Sequence, residues 1–191
     1  MPFYRFEGRT PSVHPSSYVH PSAVVIGAVT IGAGCYIGPG VVLRGDWGEI
    51  SIADGSNVQE NVVIHARPEQ RAVLGRDSHI GHGAILHGCT LEEHVMVGMG
   101  AIVNDDAVIG PDCVIGSGAV IPPGMQVPAR QLLVGVPARV LKEVDDRMAA
   151  FFRLGTALYQ TLPDRYRESL EEITGATEPA APSTSGGPPA R

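Results

Sequence analysis

The sequence predicts a mainly β protein, a parallel β-helix of hexapeptide repeats with a C-terminal α-helix packed along it. Aliphatic residues recur at every sixth position, glycine follows many of them, and 24 Gly with 16 Pro among 191 residues leave little room for long helices. The series opens with Val13, Val19, Val25, Ile31, Ile37 and Leu43. After an insertion it resumes at Ile52, Val58 and Ile64, and after a second insertion at Leu74, Ile80 and Leu86. One residue is dropped before Leu91, and the period then holds through Val97, Val103, Ile109, Ile115, Ile121, Val127 and Leu133. An α-helix advances about 100° per residue, so a stripe of this period would wander around it. Short strands joined by tight turns, each sending one aliphatic inward, fit the pattern as a three-sided coil of about 18 residues per turn.

The repeats define a β-helix domain over residues 1–139. Gly135-Val136-Pro137-Ala138-Arg139 then reads as a turn, and residues 140–173 as a helical segment. Val144, Met148, Phe151, Leu158 and Leu162 are spaced for one face of a helix, which Pro163 should kink or end. Tyr166, Leu170 and Ile173 can continue a second amphipathic series. Residues 174–191 contain no Val, Ile, Leu, Met or aromatic residue and read as a flexible tail.

Composition narrows the function. A formal charge of −6, from 14 Lys+Arg and 20 Asp+Glu, argues against electrostatic capture of nucleic acid or an anionic membrane. No apolar run approaches a membrane span, and the start Met1-Pro2-Phe3-Tyr4-Arg5 lacks the apolar stretch of a signal peptide. Cys35, Cys89 and Cys113 match no zinc-ribbon spacing and cannot all pair within the chain, so a reducing cytoplasm is the expected compartment.

Seven histidines are present, and the coil sorts them. Counting sides, Leu86 lies one coil above Ile64 and Leu43 one coil below it. His65 and His87, each one residue past its aliphatic, should stack at one corner about 4.8 Å apart, with Arg44 beneath. His82, two residues past Ile80, belongs to another corner. A three-fold arrangement of such prisms would bring His82 of one subunit against His65 and His87 of the next, the ligand set of a catalytic zinc with one open position. On spacing alone, ordinary turn histidines explain the pattern equally well. His14, His20, His79 and His94 read as turn residues, and Cys89 as a buried turn cysteine rather than a nucleophile.

Leu43-Arg44-Gly45-Asp46, Asn57-Val58-Gln59-Glu60-Asn61, Ile64-His65, and Ile80-Gly81-His82 through Leu86-His87-Gly88-Cys89 resemble the γ-class carbonic anhydrase superfamily. Pro68-Glu69-Gln70 and Leu158-Tyr159-Gln160 tilt the resemblance toward its phenylacetate-degradation branch over the carnitine-pathway branch. The resemblance spans about residues 1–170. It implies a left-handed β-helix, a homotrimer, and zinc (iron or cobalt being the alternatives) held by His65, His82 and His87 at subunit interfaces. It also implies supporting roles for Arg44, Asp46 and Gln59 and a site-lining role for Tyr159.

Such a site would use zinc-bound hydroxide to hydrolyse acyl-CoA thioesters or to hydrate carbon dioxide, the small-molecule substrates expected here. Gln59 can orient the water or a polarised oxygen, and Arg44 and Asp46 can pair across the interface. Glu60 shares a column with His82 and is placed to accept its imidazole N–H or to face solvent. Where the archetypal γ-class enzyme carries acidic residues that pass protons to bulk water, this chain has Trp47. Glu69, on the second insertion, can take that task, and Trp47 offers an apolar wall for an acyl or aromatic group. The competing readings are a CoA-dependent hexapeptide acyltransferase, which needs a histidine base but no converging triad, and a non-catalytic trimeric scaffold with a structural metal.

Overall fold

The computed structural model describes residues 3–173 and Gly175. The hexads build a seven-coil prism with three sides of short parallel strands. One side stacks Tyr18–Val19, Tyr36–Ile37, Asn57–Val58, His79–Ile80, Met96–Val97, Val114–Ile115 and Gln131–Gly135. The other two sides join into one sheet, because Val24–Ile31 and Val42–Ile52 run continuously around a corner. Gly45 permits that corner: a Cβ there would lie 2.6 Å from the Ala28 carbonyl oxygen. The bend leaves Arg44 and Asp46 on either side of it.

The hexad aliphatics fill the interior as expected, with Leu43, Ile64, Leu86, Ile80, Val97 and Ile115 fully buried. The position two residues before each aliphatic also points inward and is filled mostly by small side chains, with Val41, Val62, Val95 and Ile50 among the larger ones. Ala84, Ala101 and Ala119 occupy it, as do Ser17, Ser56 and Ser78. Cys35, Cys89 and Cys113 stand at the same position, all buried with free thiols. Burial pushes the Cys89 thiol up to about 12, so it stays protonated and packs as a small apolar group.

The C-terminal segment differs in two respects from its sequence reading. Residues 140–143 are not helical: Ala138–Glu143 returns antiparallel along Gln131–Gly135, extending the last coil. Helix α1 spans Asp146–Gln160, capped by the Asp145 carboxylate accepting from the Met148 N–H, and α2 spans Leu162–Ser169 with Pro163 in its first turn. The packed face is also not the one that apolar spacing selects. Phe151 and Leu158 are exposed, at 69% and 63%, while Thr156 and Pro163 are buried. The reason lies underneath. The helices cover an outward column already filled by large side chains, including Tyr18, Tyr36 and His79, and α1 meets it through Phe152, Gly155, Thr156 and Tyr159. The expected flexible tail lies outside the described residues apart from Gly175. Among the described residues no helix is long and apolar enough to cross a membrane.

Candidate metal centre and its two half-sites

The expected site residues fall into two groups on different corners. At the first corner, strand register sets Arg44, His65 and His87 in one column. His65 Nδ1 and His87 Nε2 face each other at 3.0 Å. The outer nitrogens are held by carboxylates: His65 Nε2–H donates to Asp46 Oδ1 at 3.2 Å and His87 Nδ1–H to Asp105 Oδ1 at 2.7 Å. Burial and then the Arg44 guanidinium lower the His65 pKa, which keeps that ring neutral at neutral pH. Burial alone would raise the Asp46 pKa. The Arg44 guanidinium, the Trp47 N–H and His65 outweigh it and hold the carboxyl below the usual range. Arg44 reaches Asp46 at 2.9 and 3.1 Å within one chain, so this pair needs no partner subunit, unlike the cross-interface pair expected.

With their N–H groups committed to Asp46 and Asp105, the two facing nitrogens carry lone pairs aimed at each other. That repels unless a cation or a shared proton lies between them. Two tetrahedral zinc–imidazole bonds separate their nitrogens by about 3.3 Å, so the pair needs to open by only about 0.3 Å to accept a zinc ion. The carboxylate behind each ring is the usual support of a metal-binding imidazole. The donor set fits zinc but is incomplete: among the described residues, no three His, Cys, Asp or Glu side chains of one chain are arranged to hold a metal ion.

The Trp47 ring lies 5.6 Å from that of His65, and the Arg44 guanidinium sits 5.6 Å over the indole. Glu69, with φ of 62°, lines a surface hollow with Trp47, Arg9, Glu49 and Arg71. It stands beside the corner as the insertion suggested.

The second corner holds His82, Gln59 and Tyr159. His82 is 46% exposed, and its Nδ1 meets Glu60 Oε2 at 2.5 Å, the in-column pairing that the repeat register suggested. Gln59 is buried and contacts Asn57 and His79, while Tyr159 of α1 lies edge-on to His79 at 5.1 Å and against Tyr36 at 5.9 Å. His79 corrects its reading as a turn residue. It is a strand residue, 9% exposed, pushed down to about 4 by burial with a further contribution from His82, and so neutral. His94, by contrast, does occupy a turn, with φ of 57°. His14 and His20 bond Ser16 and Ser22 in turns of their own.

Sequence reasoning missed His79, Asn57 and Asp105. The first two carried a legible signal. Each stands one residue before its aliphatic, in phase with Tyr18 and Tyr36, and that phase is the column the helices cover. Asp105 carried none, because it follows its aliphatic Val103 by two residues, whereas His87 follows Leu86 by one.

The family described as bacterial transferase hexapeptide (six repeats) matches residues 10–45 and 88–123. The carnitine operon protein CaiE of Salmonella newport is 47% identical over 178 residues, covering 93% of this chain and 90% of the relative. The chain belongs to the hexapeptide-repeat transferase superfamily. The left-handed winding implied by the resemblance stands with that membership. Two solved structures are similar over most of their length. A hexapeptide transferase family protein from Anaplasma phagocytophilum superposes with a TM-score of 0.83 at 33% identity, covering 86% of this chain and 98% of that one. A Bacillus cereus protein described as an acetyltransferase gives 0.85 at 28% identity, with coverage of 87% and 96%.

Proposed function

We propose that this chain is a zinc-dependent hydrolase of PaaY type, a cytoplasmic homotrimer with one metal site at each subunit interface. Its substrates are acyl-CoA thioesters, carbon dioxide, or both. The observation that carries this reading is the His65–His87 pair, two carboxylate-backed imidazoles whose ring nitrogens face each other at 3.0 Å. His65 and His87 of one subunit and His82 of the next would hold the metal. An outward column of Val24, Val42, Val63, Ile85, Ile102 and Val120 supports the shared site. It runs along the coil beside the histidine pair, and Val63 and Ile85 are 38% and 43% exposed. An apolar stripe on an outward β-face is what a subunit interface requires.

Bound zinc supplies Lewis acidity that makes water a competent nucleophile near neutral pH. The chain's own groups would do the rest. Asp46 and Asp105 keep the imidazoles deprotonated toward the metal and fixed in orientation. Gln59 orients the attacking water or the polarised oxygen, Trp47 walls the cleft, Glu69 takes protons outward, and the Tyr159 hydroxyl lines the entry from α1. The relationship to the carnitine operon protein CaiE supports the superfamily that the carnitine-pathway and phenylacetate branches share.

The description of the Bacillus cereus structure favours a second reading, acyl transfer from CoA to an acceptor. Metal analysis with assays on carbon dioxide and a CoA thioester panel separates the two. The first reading expects about one metal per subunit, lost in His65→Ala, His82→Ala or His87→Ala, with CoA released to water. Full metal occupancy in His82→Ala refutes the ligand set, and release of CoA only with an added amine or hydroxyl acceptor supports the transferase.

A further inference from the structure

The first insertion leaves two carbonyls at the His65 corner without a strand partner. Along the ladder between Val24–Ile31 and Val42–Ile52, Gly27 pairs with Gly45, and the next pair is Val29 with Ile50. Ala28 alone therefore stands against residues 46–49. On the following coil the pairing stops at Arg44–His65 and resumes at Glu49–Arg71. The N–H groups of this bulge do find acceptors. Gly48 N–H donates to the Ala66 carbonyl at 3.2 Å and Glu49 N–H to that of Gln70 at 3.0 Å. Trp47 N–H turns back to Asp46 Oδ1 at 2.9 Å. The ladders offer nothing to the carbonyls of Asp46 and Trp47, so their donors must come from elsewhere or from water.

Arg9 supplies them. Its guanidinium donates from Nη2 to the Asp46 carbonyl and from Nη1 to the Trp47 carbonyl, the second at 3.2 Å. A tight turn aims the side chain. Glu7 and Gly8 both have positive φ, 46° and 79°, and across them Phe6 and Arg9 exchange N–H···O bonds of 3.0 and 2.9 Å. Phe3–Tyr4 anchors this hook by pairing with Val25 and Ile26. The planar fork suits the task, since one rigid group bonds two carbonyls at once. Asp46 and Trp47 are also the residues that flank the metal half-site. Asp46 accepts from His65 Nε2–H, and the Trp47 ring lies 5.6 Å from that of His65. Arg9 and Trp47 line one hollow of about 330 Å³ with Glu49 and Glu69, and Glu49 is engaged by Arg71 at 2.9 Å.

We propose that Arg9 is a positioning residue of the cleft. By clasping the Asp46 and Trp47 carbonyls, it fixes the carboxylate behind His65 and the indole that walls the substrate. This rests on the reading of His65 and Trp47 as parts of the hydrolytic site. The N-terminal hook then belongs to the framework of that site as well as to the first coil.

Trp47 is the sole tryptophan, so its fluorescence reads the corner directly in the full-length protein. Arg9→Met keeps the side-chain stem and removes every donor. It should lower the anisotropy of the indole and raise its quenching by acrylamide, with the melting temperature held. Zinc binding, titrated against a competing chelator, should weaken by about tenfold, because the loosened Asp46 no longer fixes His65. Arg9→Lys restores one donor and should recover part of both signals. Arg5→Met lies in the same hook, breaks only the contact to Thr10 Oγ1 at 3.0 Å, and should match the parent. Parent-like anisotropy and quenching in Arg9→Met, or zinc binding as tight as the parent's, overturns the proposal. So does an equal shift of the indole in Arg5→Met, since the hook and not the guanidinium would then hold the corner. If Arg9→Met also melts lower, Arg9→Lys decides: recovery supports the clasp, and no recovery refutes it. A parent that binds no zinc removes the hydrolase reading, and the fluorescence arm alone then decides whether Arg9 holds the corner.

Discussion

Replacing Ile85 by Glu puts the proposed assembly at risk without touching a ligand. Ile85 lies on the outward column, one residue before the buried Leu86 and two before His87, and is 43% exposed in the single chain. Burying a whole isoleucine contributes about 1.5–3 kcal/mol, so covering the exposed 43% is worth about 0.6–1.3 kcal/mol per copy. Three interfaces in a closed ring raise the loss to about 2–4 kcal/mol per trimer. A carboxylate pressed against the neighbour's surface adds its desolvation cost. The single coil should tolerate the change, since the side chain already meets solvent. Sedimentation across a dilution series should show Ile85→Glu dissociating at concentrations where the parent stays trimeric, and metal content should fall with the trimer. A parent that is monomeric, or a variant whose trimer survives dilution as the parent does, refutes the interface reasoning.

Other expectations follow from the same geometry. Mixed trimers of His65→Ala and His82→Ala chains should regain activity that neither homotrimer has, because some interfaces then carry no lesion; heterotrimers that form and stay inactive would refute the shared site. Tyr159→Phe keeps the ring against Tyr36 and His79, so turnover should drop while metal content and melting temperature hold; unchanged kinetics leave the tyrosine a packing role only. Gly155→Ala should stabilise the fold by about 1 kcal/mol, measured by denaturant unfolding. The new Cβ meets His79 Cε1 at an ordinary 4.0 Å, and a loss of stability would show that α1 packs more tightly than this. His79 is neutral in the fold, its pKa lowered from 6.5 to about 4, so the unfolded chain binds the extra proton between those values. Stability from this residue is therefore fully present above pH 6.5 and lost as pH falls toward 4. The loss reaches about 3 kcal/mol at most. His79→Phe should flatten the stability profile in that window, and an identical acid profile in the variant would exclude His79 as its source.

The sequence alone determined the coil. A six-residue period with one inward aliphatic per side is a local rule repeated many times, so side counting placed Arg44, His65 and His87 in one column and Glu60 beside His82. The strand register confirms both placements. The same counting put His82 on a different corner, which no single chain can overcome. Only the tertiary structure decided which face of α1 packs. Apolar spacing favoured Phe151 and Leu158, but α1 meets the column that holds Tyr36 and His79 through Phe152, Gly155, Thr156 and Tyr159. The partners of the site residues were likewise set by proximity across coils. Asp105 backs His87, and His79 meets Asn57 and Gln59, through contacts 18 to 22 residues apart in sequence. A periodic pattern fixes the direction in which each side chain leaves the coil, whereas donor and acceptor matching depends on what the neighbouring coils and the covering helix bring to the same place.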